Sequence, residues 1–408
     1  MATPTVPADR CPVAHDASER KTARGADPAA PALEQRDGTW HVRSYGAVRQ
    51  VLRDADGTRQ AGFNAELAAR TGLRQPVLFE EGAAHHEHRT AIARFFTPAT
   101  VDADYRQMMD EVSEALVARL RRDGRADLSD LSLELAMQVA ARVVGLTDST
   151  RPGLAQRLEA ILSLERLERL RPVVRFLAML RVQGHVRRFL RFDVRPAIAA
   201  RRSAPREDVI SHLIGMGYTN SEILIECITY GAAGMATTRE FIVMAAWHLL
   251  EHDDLRRRYL AADEPERHRV LHEILRLEPV VGHLYRRATA DVAVEIDGAT
   301  TTIPAGALID LDVRAANADA NAVGEAPLCL RPDRERAPRV QEPVLSFGDG
   351  AHRCPGAFVA IKESDAFLRR LLQLPLRVAG EPRLAWNDLI EGYEVRGFEV
   401  EVGAGAAG

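Results

Sequence analysis

The sequence has 408 residues, enough for two average domains or for one large enzyme, and 46% of them are hydrophobic, as in a globular protein. Its net charge of −4 lacks the basic excess that nucleic-acid and anionic-membrane partners require, so we expect neither. The four cysteines stand far apart and no run of eighteen apolar residues occurs, which argues against a disulfide framework, a structural zinc site and a membrane-spanning helix and favours a cytoplasmic location.

The chain begins with a segment rich in alanine, proline and charge, residues 1–37, which we predict to be a flexible arm. A short strand is predicted at 38–43, and apolar residues at three- and four-residue spacing then predict a series of helices. These helices are expected at 103–122, 130–145, 154–202 in two or more pieces, 207–215, 219–252 and 266–278.

A second strand region is predicted at 291–313, where apolar and polar residues alternate and Asp-Gly and Pro-Ala-Gly turn signals interrupt the pattern. The stretch 315–350 shows little periodicity and is predicted to be a long coil, a feature that is usually functional in compact proteins. Because no internal repeat and no Ser/Gly-rich linker divides the chain, we predict one mostly helical domain with a small β region over 38–408.

The coil ends in SFGDGAHRCPGA, where a single cysteine stands among glycines before a helical pattern. Gly348, Gly350 and Gly356 allow the backbone to turn tightly beneath a flat object. Pro355 suits the first turn of a helix, which would place Cys354 at a helix N-terminus, where the dipole favours its thiolate. With no second cysteine nearby, such a sulfur suits a metal whose other ligands come from a cofactor, as in haem. The alternative is a structural cysteine at a tight turn.

The cysteine loop resembles the haem-binding signature FGxGxHxCxG of the cytochrome P450 family at every fixed position, and related motifs follow the family's order over about residues 38–400. The resemblance implies the single-domain P450 fold, shaped like a triangular prism, with haem b as cofactor and Cys354 as the ligand of its iron. The matching residues are Phe347, Gly348, Gly350, His352, Cys354 and Gly356.

Glu273 and Arg276, in EILR, resemble the family's ExxR motif. Residues three apart lie on one face of a helix, so the carboxylate can accept a charge-assisted hydrogen bond from the guanidinium. Arg334 stands where the family has the third member of this triad, in the coil before the cysteine loop. The resemblance implies that the triad braces the loop, whereas ExxR alone is more often a solvated surface pair.

Four residues match positions at which the family binds the haem carboxylates. His85 and Arg89, in AAHHEHRTA, stand one helical turn apart, Arg286 lies in YRRATAD, and His352 lies within the signature. Each of them alone would be interpreted as an exposed charge. Together, in register with Cys354, they favour the haem interpretation.

The segment 219–252 opens with a capping box, contains no proline and resembles the family's central I-helix. Ala233 and Gly234 at its middle would leave room for the macrocycle and a diatomic ligand, and close packing of another helix is the alternative. The family carries an acid followed by a threonine here to deliver protons during dioxygen activation. In this chain Thr237 is present, but Ala236 replaces the acid, and alanine cannot carry a proton.

Several explanations of the missing acid stay open. Protons could arrive through Thr237 with water, through Thr238, through Glu240 if it points inward, or through a polar group of the substrate. The reaction could instead stop before oxygen insertion, as in C–C, C–N or C–O coupling or ring closure. Dioxygen activation could also be absent, as in the family's fungal nitric oxide reductases, or the protein could be a haem-binding sensor or docking protein without turnover.

The resemblance implies an oxidoreductase, specifically a monooxygenase that uses O2 to hydroxylate or otherwise oxidise a mid-sized organic molecule of the secondary-metabolite kind. Because the chain carries no redox module, electrons are expected from a ferredoxin and its NAD(P)H-dependent reductase. Substrate contacts are expected at Tyr230, Val281, Leu284 and Val395.

Overall fold

We describe the fold from a computed structural model, in which residues 20–22, 30–63, 65, 74–162, 171–387 and 390–403 are described. Helices dominate this part of the chain, as the sequence predicts. None of these helices has both the length and the apolar character needed to cross a membrane. Those of seven or more residues are α1 Tyr45–Arg53, α2 Gly82–Ala93, α3 Arg106–Asp123, α4 Leu128–Val144, α5 Leu154–Leu162, α6 Pro172–Phe189, α7 Arg195–Ser203, α8 Val209–Gly215, α9 Asn220–Gly231, α10 Thr237–Glu251, α11 Asp253–Ala261, α12 Glu264–Leu277 and α13 Ala357–Leu371.

The segment predicted as one helix at 219–252 is continuous but not uniform. α9 begins after Thr219, whose side chain forms the predicted capping box with Glu222. The helix then widens into a π-helical turn at Ala232–Ala236 before α10 continues to Glu251. Because π-helical turns occur mostly at functional sites, this change of geometry marks the middle of the helix for attention.

Short strands make up the remaining regular structure. Two predictions agree with it, since β2 lies within 38–43 and the segment 291–313 contains β6, β7 and β8. The other strands are short and of mixed polarity, so whether they form depends on their pairing partners and not on their own sequence pattern. The strands of the described residues are β1 Leu33–Arg36, β2 Thr39–Val42, β3 Thr58–Ala61, β4 Arg125–Asp127, β5 His283–Ala288, β6 Val292–Ile296, β7 Ala299–Ile303, β8 Leu308–Asp312, β9 Leu376–Val378, β10 Arg383–Asn387, β11 Gly392–Arg396 and β12 Glu399–Val402.

Five of these strands form one sheet in the order β1-β2-β8-β5-β3. β2 and β8 run parallel, and the other neighbours in this sheet are antiparallel. β4-β12-β9, β10-β11 and β6-β7 form smaller sheets. The position of β5 beside β3 matters for the site, because the register pairs Arg286 directly with Gln60.

The long α9–α10 helix passes through two hydrophobic cores. The main core lies among α3, α4, α10, α12 and α13, and within it residues 241–246 of α10 are all buried. A helix that is apolar on every side belongs to the interior of a protein. A second core packs α9 against α4, α5, α7 and α8, and a third lies between α1 and the five-stranded sheet. Both halves of the long helix are therefore held firmly on either side of the π-helical turn.

Two parts of the segment 1–37, which the sequence predicts to be flexible, are held against the rest of the protein. Arg20 Nε donates to the Leu277 carbonyl at 2.6 Å, and the Thr22 N–H donates to Glu278 Oε2 at 3.1 Å. β1 pairs with β2 before residue 38 is reached. Composition does not reveal these contacts, because they depend on groups distant in the chain.

Candidate active site

The cysteine loop SFGDGAHRCPGA is closed by a backbone hydrogen bond and by glycine geometry. The Cys354 N–H donates to the Phe347 carbonyl at 2.9 Å. Gly348 and Gly350 adopt φ values of 68° and 69°, in the left-handed region that favours glycine. A Cβ on Gly350 would also lie 2.3 Å from the Leu52 carbonyl oxygen. Gly350 is therefore required by both its conformation and its contact with α1.

Asp349 ties this loop to α1 and was not predicted, because it occupies a variable position of the signature. Its carboxylate accepts hydrogen bonds from Arg49 Nε and Arg53 Nε, each at 2.9 Å, and from the Gly350 N–H at 2.7 Å. Burial acts to raise the pKa of Asp349, but the hydrogen bonds from Arg53, Gly350 and Arg49 hold it below the usual value. The loop is thus anchored by an ionised carboxylate.

The cysteines that the structure describes differ in state. Cys227 and Cys354 are free, whereas Cys329 is disulfide-bonded. The wide spacing of the cysteines did not predict that bond, because separation along the chain does not determine distance in the fold. Cys227 is buried, but Cys354 is exposed and accessible to a ligand. No group of three His, Cys, Asp or Glu side chains in the described ranges could hold a metal ion, so a metal at Cys354 would need ligands from a cofactor.

The environment of the Cys354 thiol contains opposing influences. The protein packed around the loop raises its pKa, while the Gly356 N–H and the cations of Arg89 and Arg353 lower it. α13 begins at Ala357, so the cysteine precedes the helix by three residues instead of occupying its first turn. Burial therefore outweighs the expected stabilisation of the thiolate by the helix dipole. A bound cation would be needed to favour the thiolate form of Cys354.

Glu273, Arg276 and Arg334 meet in the interior. Arg276 Nε and Nη2 donate to the two carboxylate oxygens of Glu273 at 2.9 and 2.8 Å, and Arg334 Nε donates to Glu273 Oε1 at 3.0 Å. All three side chains are buried. The remaining guanidinium donors bind backbone carbonyls of residues 317, 323, 325–327 and 329. The triad thus fixes the coil that leads to the cysteine loop.

Three of the four residues expected at the haem carboxylates lie beside a carboxylate that was not predicted, Glu81. The rings of His85 and His352 stack with centroids 4.1 Å apart, and His352 Nε2 lies 3.0 Å from Glu81 Oε2. Arg286 Nη1 donates to Gln60 Oε1 at 2.6 Å, as the pairing of β3 with β5 allows. Glu81 and Gln60 belong to no recognisable motif, and only the fold brings them here.

This cluster contains donors suited to an anionic group. Burial, and to a lesser extent His352 and Arg89, lower the pKa of His85 to about 4, so its ring is neutral, and its buried Nε2 has no hydrogen-bond partner. Burial lowers the pKa of Arg286 to about 10 against the opposing effect of Glu81, which leaves the guanidinium charged at neutral pH. An unpartnered buried donor beside a buried cation is an arrangement that a carboxylate would satisfy.

Arg89, the second residue of the HxxxR pattern, lies against the cysteine loop. Its Nη2 donates to the Arg353 carbonyl at 2.5 Å. Burial lowers the pKa of Arg89, while Cys354 and Tyr230 raise it, so this guanidinium interacts with both the loop and α9. We name the region around Cys354, Arg89 and Tyr230, which the electrostatic interactions of Arg89 connect, the Cys354 recess.

The small residues GAAG at the π-helical turn serve different purposes. A Cβ on Gly231 would lie 2.3 Å from Leu158 of α5, and a Cβ on Gly234 would lie 3.4 Å from Ala140 of α4. Helix packing therefore accounts for Gly231, whereas a Cβ on Gly234 would make only an ordinary contact, so packing does not explain the glycine expected beside the haem. Ala233, in contrast, is exposed.

The residues around the missing acid are arranged as follows. Ala236 ends the π-helical turn, and Thr237 Oγ1 donates to the Ala233 carbonyl at 2.5 Å. Thr238 is buried, and its hydroxyl hydrogen-bonds to Glu363 of α13. Successive helical residues point in directions about 100° apart, so Thr238 lies toward the core while Thr237 stays at the turn.

Glu240 does not replace the missing acid. Its buried carboxylate accepts hydrogen bonds from the Val395 N–H at 2.7 Å and from Arg396 Nη1 at 2.6 Å. Burial raises the pKa of Glu240, while Arg396 and Arg239 lower it. These contacts connect α10 to β11, which gives Glu240 a structural role.

The four expected substrate contacts occupy different environments. Leu284 lies beside the cysteine loop, and Val281 is half-buried in a bridge to β11. The Tyr230 hydroxyl is buried and has no hydrogen-bond partner. Val395 is completely buried in the main core, which places it away from any surface that a substrate could reach.

Comparison with known proteins agrees with this geometry. The family model described as Cytochrome P450 matches residues 267–374, which include all three members of the triad and Cys354. Cytochrome P450 130 of Mycobacterium tuberculosis is 28% identical over 320 residues, 76% of this chain and 74% of that protein. Cytochrome P450 monooxygenase PikC of Streptomyces venezuelae is 28% identical over 377 residues, 88% and 84% of the two chains.

A solved structure shows the same fold. The structure of a mutant of P450 EryK in complex with erythromycin B superimposes with a TM-score of 0.72 at 22% identity, covering 92% of this chain and 94% of that one. The predicted mostly helical P450 fold is thereby confirmed. The family match and the sequence relatives together identify a haem-dependent monooxygenase that uses dioxygen. The chain belongs to the cytochrome P450 family, in its bacterial branch.

Proposed function

We propose that this protein is a haem b-dependent monooxygenase that oxidises a mid-sized organic molecule of the secondary-metabolite kind. The observation that carries the proposal is the exposed thiol of Cys354, in a loop braced by a buried triad. A lone cysteine beside donors for carboxylates is the donor set that haem requires. The haem domain would comprise residues 38–408; residues 1–19 and 23–29 of the predicted arm lie outside the described residues.

In this proposal Cys354 holds the haem iron, and the thiolate-bound cofactor supplies the oxidising power for dioxygen activation. The loop glycines would let the backbone approach the macrocycle, and the exposed Ala233 would leave space for it. Thr237 stands at the turn that faces this space. The haem carboxylates are bound by His85, Arg89, Arg286 and His352, and the unpartnered Nε2 of His85 gains an acceptor.

Electrons would come from a ferredoxin and its NAD(P)H-dependent reductase, a supply that goes with a cytoplasmic location. Arg353 is exposed at the cysteine loop and can attract an acidic partner, whereas the guanidinium of Arg53 is already paired with Asp349. Arg336 contributes less, because its guanidinium is paired with Glu342. A substrate of the secondary-metabolite kind is supported by a sequence relative named Erythromycin C-12 hydroxylase, which is 26% identical over 382 residues.

Carbon monoxide binding to the reduced protein tests the proposal. The haem-loaded chain should show the red-shifted Soret band of thiolate ligation, and Cys354→Ser should lose it. Cys227→Ser is the matched control, because Cys227 is also a free cysteine but is buried in the second core. A Cys354→Ser protein with an unchanged spectrum would refute the assignment of the ligand.

A second candidate function is oxidative coupling or ring closure without oxygen insertion. It is favoured by Ala236, together with the involvement of Glu240 in contacts to β11. Ala236→Glu and Ala236→Asp separate the two functions. If the native product is hydroxylated, restoring the acid should maintain or increase its yield, whereas a collapse of native product would support the coupling reaction.

A further inference from the structure

A group of buried polar side chains lies where α2 meets α9, outside the residues assigned above to haem. His88 and Glu226 are each at most 2% exposed, and Tyr218, just before α9, is also buried. Burying several titratable groups together costs free energy, and such groups cluster at functional sites. The group consists of Glu80, His88, Tyr218, Glu226 and Tyr230.

Hydrogen bonds connect the outer half of this group to the surface. His88 Nδ1 lies 2.9 Å from Glu80 Oε2 and 3.3 Å from the Tyr218 hydroxyl. The rings of His88 and Tyr218 meet edge to face, with centroids 5.9 Å apart. The exposed guanidinium of Arg74 covers the other side of the Tyr218 ring at 4.3 Å. The group therefore has an outer end that protons from solvent can reach.

Three polar atoms of the inner half are buried and have no hydrogen-bond partner: His88 Nε2, Glu226 Oε2 and the Tyr230 hydroxyl. The other carboxylate oxygen of Glu226 accepts the Val77 N–H at 3.0 Å. Nearly all buried polar atoms in proteins are paired, so three unpaired atoms of neighbouring side chains point to a functional role. All three atoms are able to donate or accept a proton.

The inner end of the group borders the Cys354 recess. Glu226 and Tyr230 are four residues apart and lie on the same face of α9. Tyr230 interacts electrostatically with Glu226 and with Arg89, which in turn interacts with Cys354. Tyr230 also precedes the exposed Ala233 of the π-helical turn by only three residues. Interactions between neighbouring titratable groups therefore extend from Arg74 at the surface, through the group, to Arg89 beside Cys354.

The electrostatics suit proton transfer. Burial raises the pKa of Glu226 to about 7, while His88 and the Val77 N–H act to lower it and Glu80 acts to raise it. Burial also raises the pKa of Tyr230 well above its usual value, with Arg89 acting in the opposite direction. At neutral pH Glu226 is therefore divided between its acid and base forms, the state in which a group both accepts and releases protons.

We propose that His88, Glu226 and Tyr230 deliver protons from the surface at Glu80 and Tyr218 to the Cys354 recess, in place of the acid that Ala236 lacks. The inference rests on the proposed function, because only dioxygen chemistry there consumes protons. His88 accepts a proton at Nδ1 and releases one from Nε2, Glu226 accepts one and passes one on, and the Tyr230 hydroxyl accepts one while giving up its own. Each side chain regains its protonation state after a transfer.

Glu363 is the competing buried acid. Burial raises its pKa well above the usual value, and its Oε2 also lacks a partner. The Thr238 hydroxyl, which hydrogen-bonds to Glu363 and lowers its pKa, does not titrate, and no titratable group of the described residues shifts the pKa of Glu363. Glu226 is favoured because it has neighbours on both sides.

Infrared spectroscopy of the haem-loaded protein tests the state of Glu226 without turnover. A carboxyl C=O band should diminish as the pH rises from about 6 to 8, because the pKa of Glu226 is about 7. This titrating band should vanish in Glu226→Gln and persist in Glu363→Gln. Persistence of the band in Glu226→Gln, or its absence from the unaltered protein, would overturn the proposal.

Dioxygen uptake, with electrons from a surrogate ferredoxin and its reductase, tests proton delivery. Uptake by the unaltered enzyme should fall as the pH rises above about 7. Glu226→Gln, His88→Gln and Tyr230→Phe should each lower it by about 10- to 100-fold, and Glu226→Gln should remove the pH dependence. The solvent deuterium isotope effect should increase in all three variants.

Two matched variants complete the experiment. Tyr105→Phe removes another buried hydroxyl without a partner, in the main core, and Glu363→Gln neutralises the competing acid. Both should retain the uptake of the unaltered enzyme. A loss in Glu363→Gln equal to that in Glu226→Gln, or full uptake in all three relay variants, would overturn the relay. An unaltered enzyme that takes up no dioxygen would instead refute the proposed function.

Discussion

The cysteine side and the opposite side of the recess are built on different principles. Around the cysteine loop, charged groups are paired: Asp349 binds two arginines, and Glu273 binds Arg276 and Arg334. Across the recess, between α2 and α9, three buried polar atoms lack partners. Paired charges hold a loop in one geometry, whereas unpaired titratable groups can still accept or donate protons. Under the proposed function, the paired side would hold the metal ligand in one geometry and the unpaired side would carry the protons.

The largest loss of stability is expected when a buried charge pair that supports the cysteine loop is removed. Arg276→Ala should lower the free energy of unfolding by about 3–5 kcal/mol, because it leaves the buried Glu273 carboxylate without its bidentate partner. Thermal or urea unfolding measures the change. Arg269→Ala, at an exposed pair with Glu266, is the control and should cost less than about 1 kcal/mol. Equal losses in the two variants would contradict the bracing role of the triad.

The unpaired buried groups between α2 and α9 should make the free energy of unfolding depend on pH. Because the pKa of Glu226 in the folded chain, about 7, exceeds its ordinary value of 4.5, the native state binds the proton more tightly. The unaltered protein should thus lose up to about 3 kcal/mol from this group as the pH rises from 4.5 to 8. Glu226→Gln should remove that loss, and urea unfolding at several pH values measures it. An identical pH dependence in the variant would show that Glu226 is not protonated in the folded protein.

A smaller effect is expected from the geometry of the loop itself. Gly350→Ala should destabilise the protein by about 1–3 kcal/mol, because it combines an unfavourable positive φ with a clash against Leu52. Gly298→Ala is the matched control, since its φ is 79° but its Cβ would meet nothing within 4 Å. It should therefore cost less than Gly350→Ala in the same unfolding measurement. If the two costs were the same, backbone conformation alone would account for Gly350.

The smallest effect is expected at the start of α9. Thr219→Ala removes the side chain that caps this helix and should cost about 1 kcal/mol in unfolding free energy. Ser44→Ala is a suitable comparison, because Ser44 precedes α1 without making a side-chain cap bond and its loss should be close to zero. A larger loss at Thr219 that also alters dioxygen uptake would show that the cap positions the relay.

Much of the fold and of the cysteine side could be predicted from the sequence. The helices follow from apolar periodicity, and the cysteine loop and ExxR pair are short patterns whose members are neighbours in the chain. Glu81 and Gln60 escaped prediction because neither belongs to such a pattern, although both contact predicted residues. Val395 was expected at the substrate from its position in the family's order, but it lies in a strand and is buried in the main core, because a family position does not fix which way a side chain points.

By itself the sequence determined the helical class, the position of the single candidate metal ligand and the absence of the usual acid at Ala236. These depend on local periodicity and on residue identity, which the chain carries directly. Only the tertiary structure decided that Glu240 is bound to β11, that Gly234 packs against α4, and that His88, Glu226 and Tyr230 adjoin one another. Burial and pairing between distant segments set the protonation of these groups, and neither can be determined from their order along the chain.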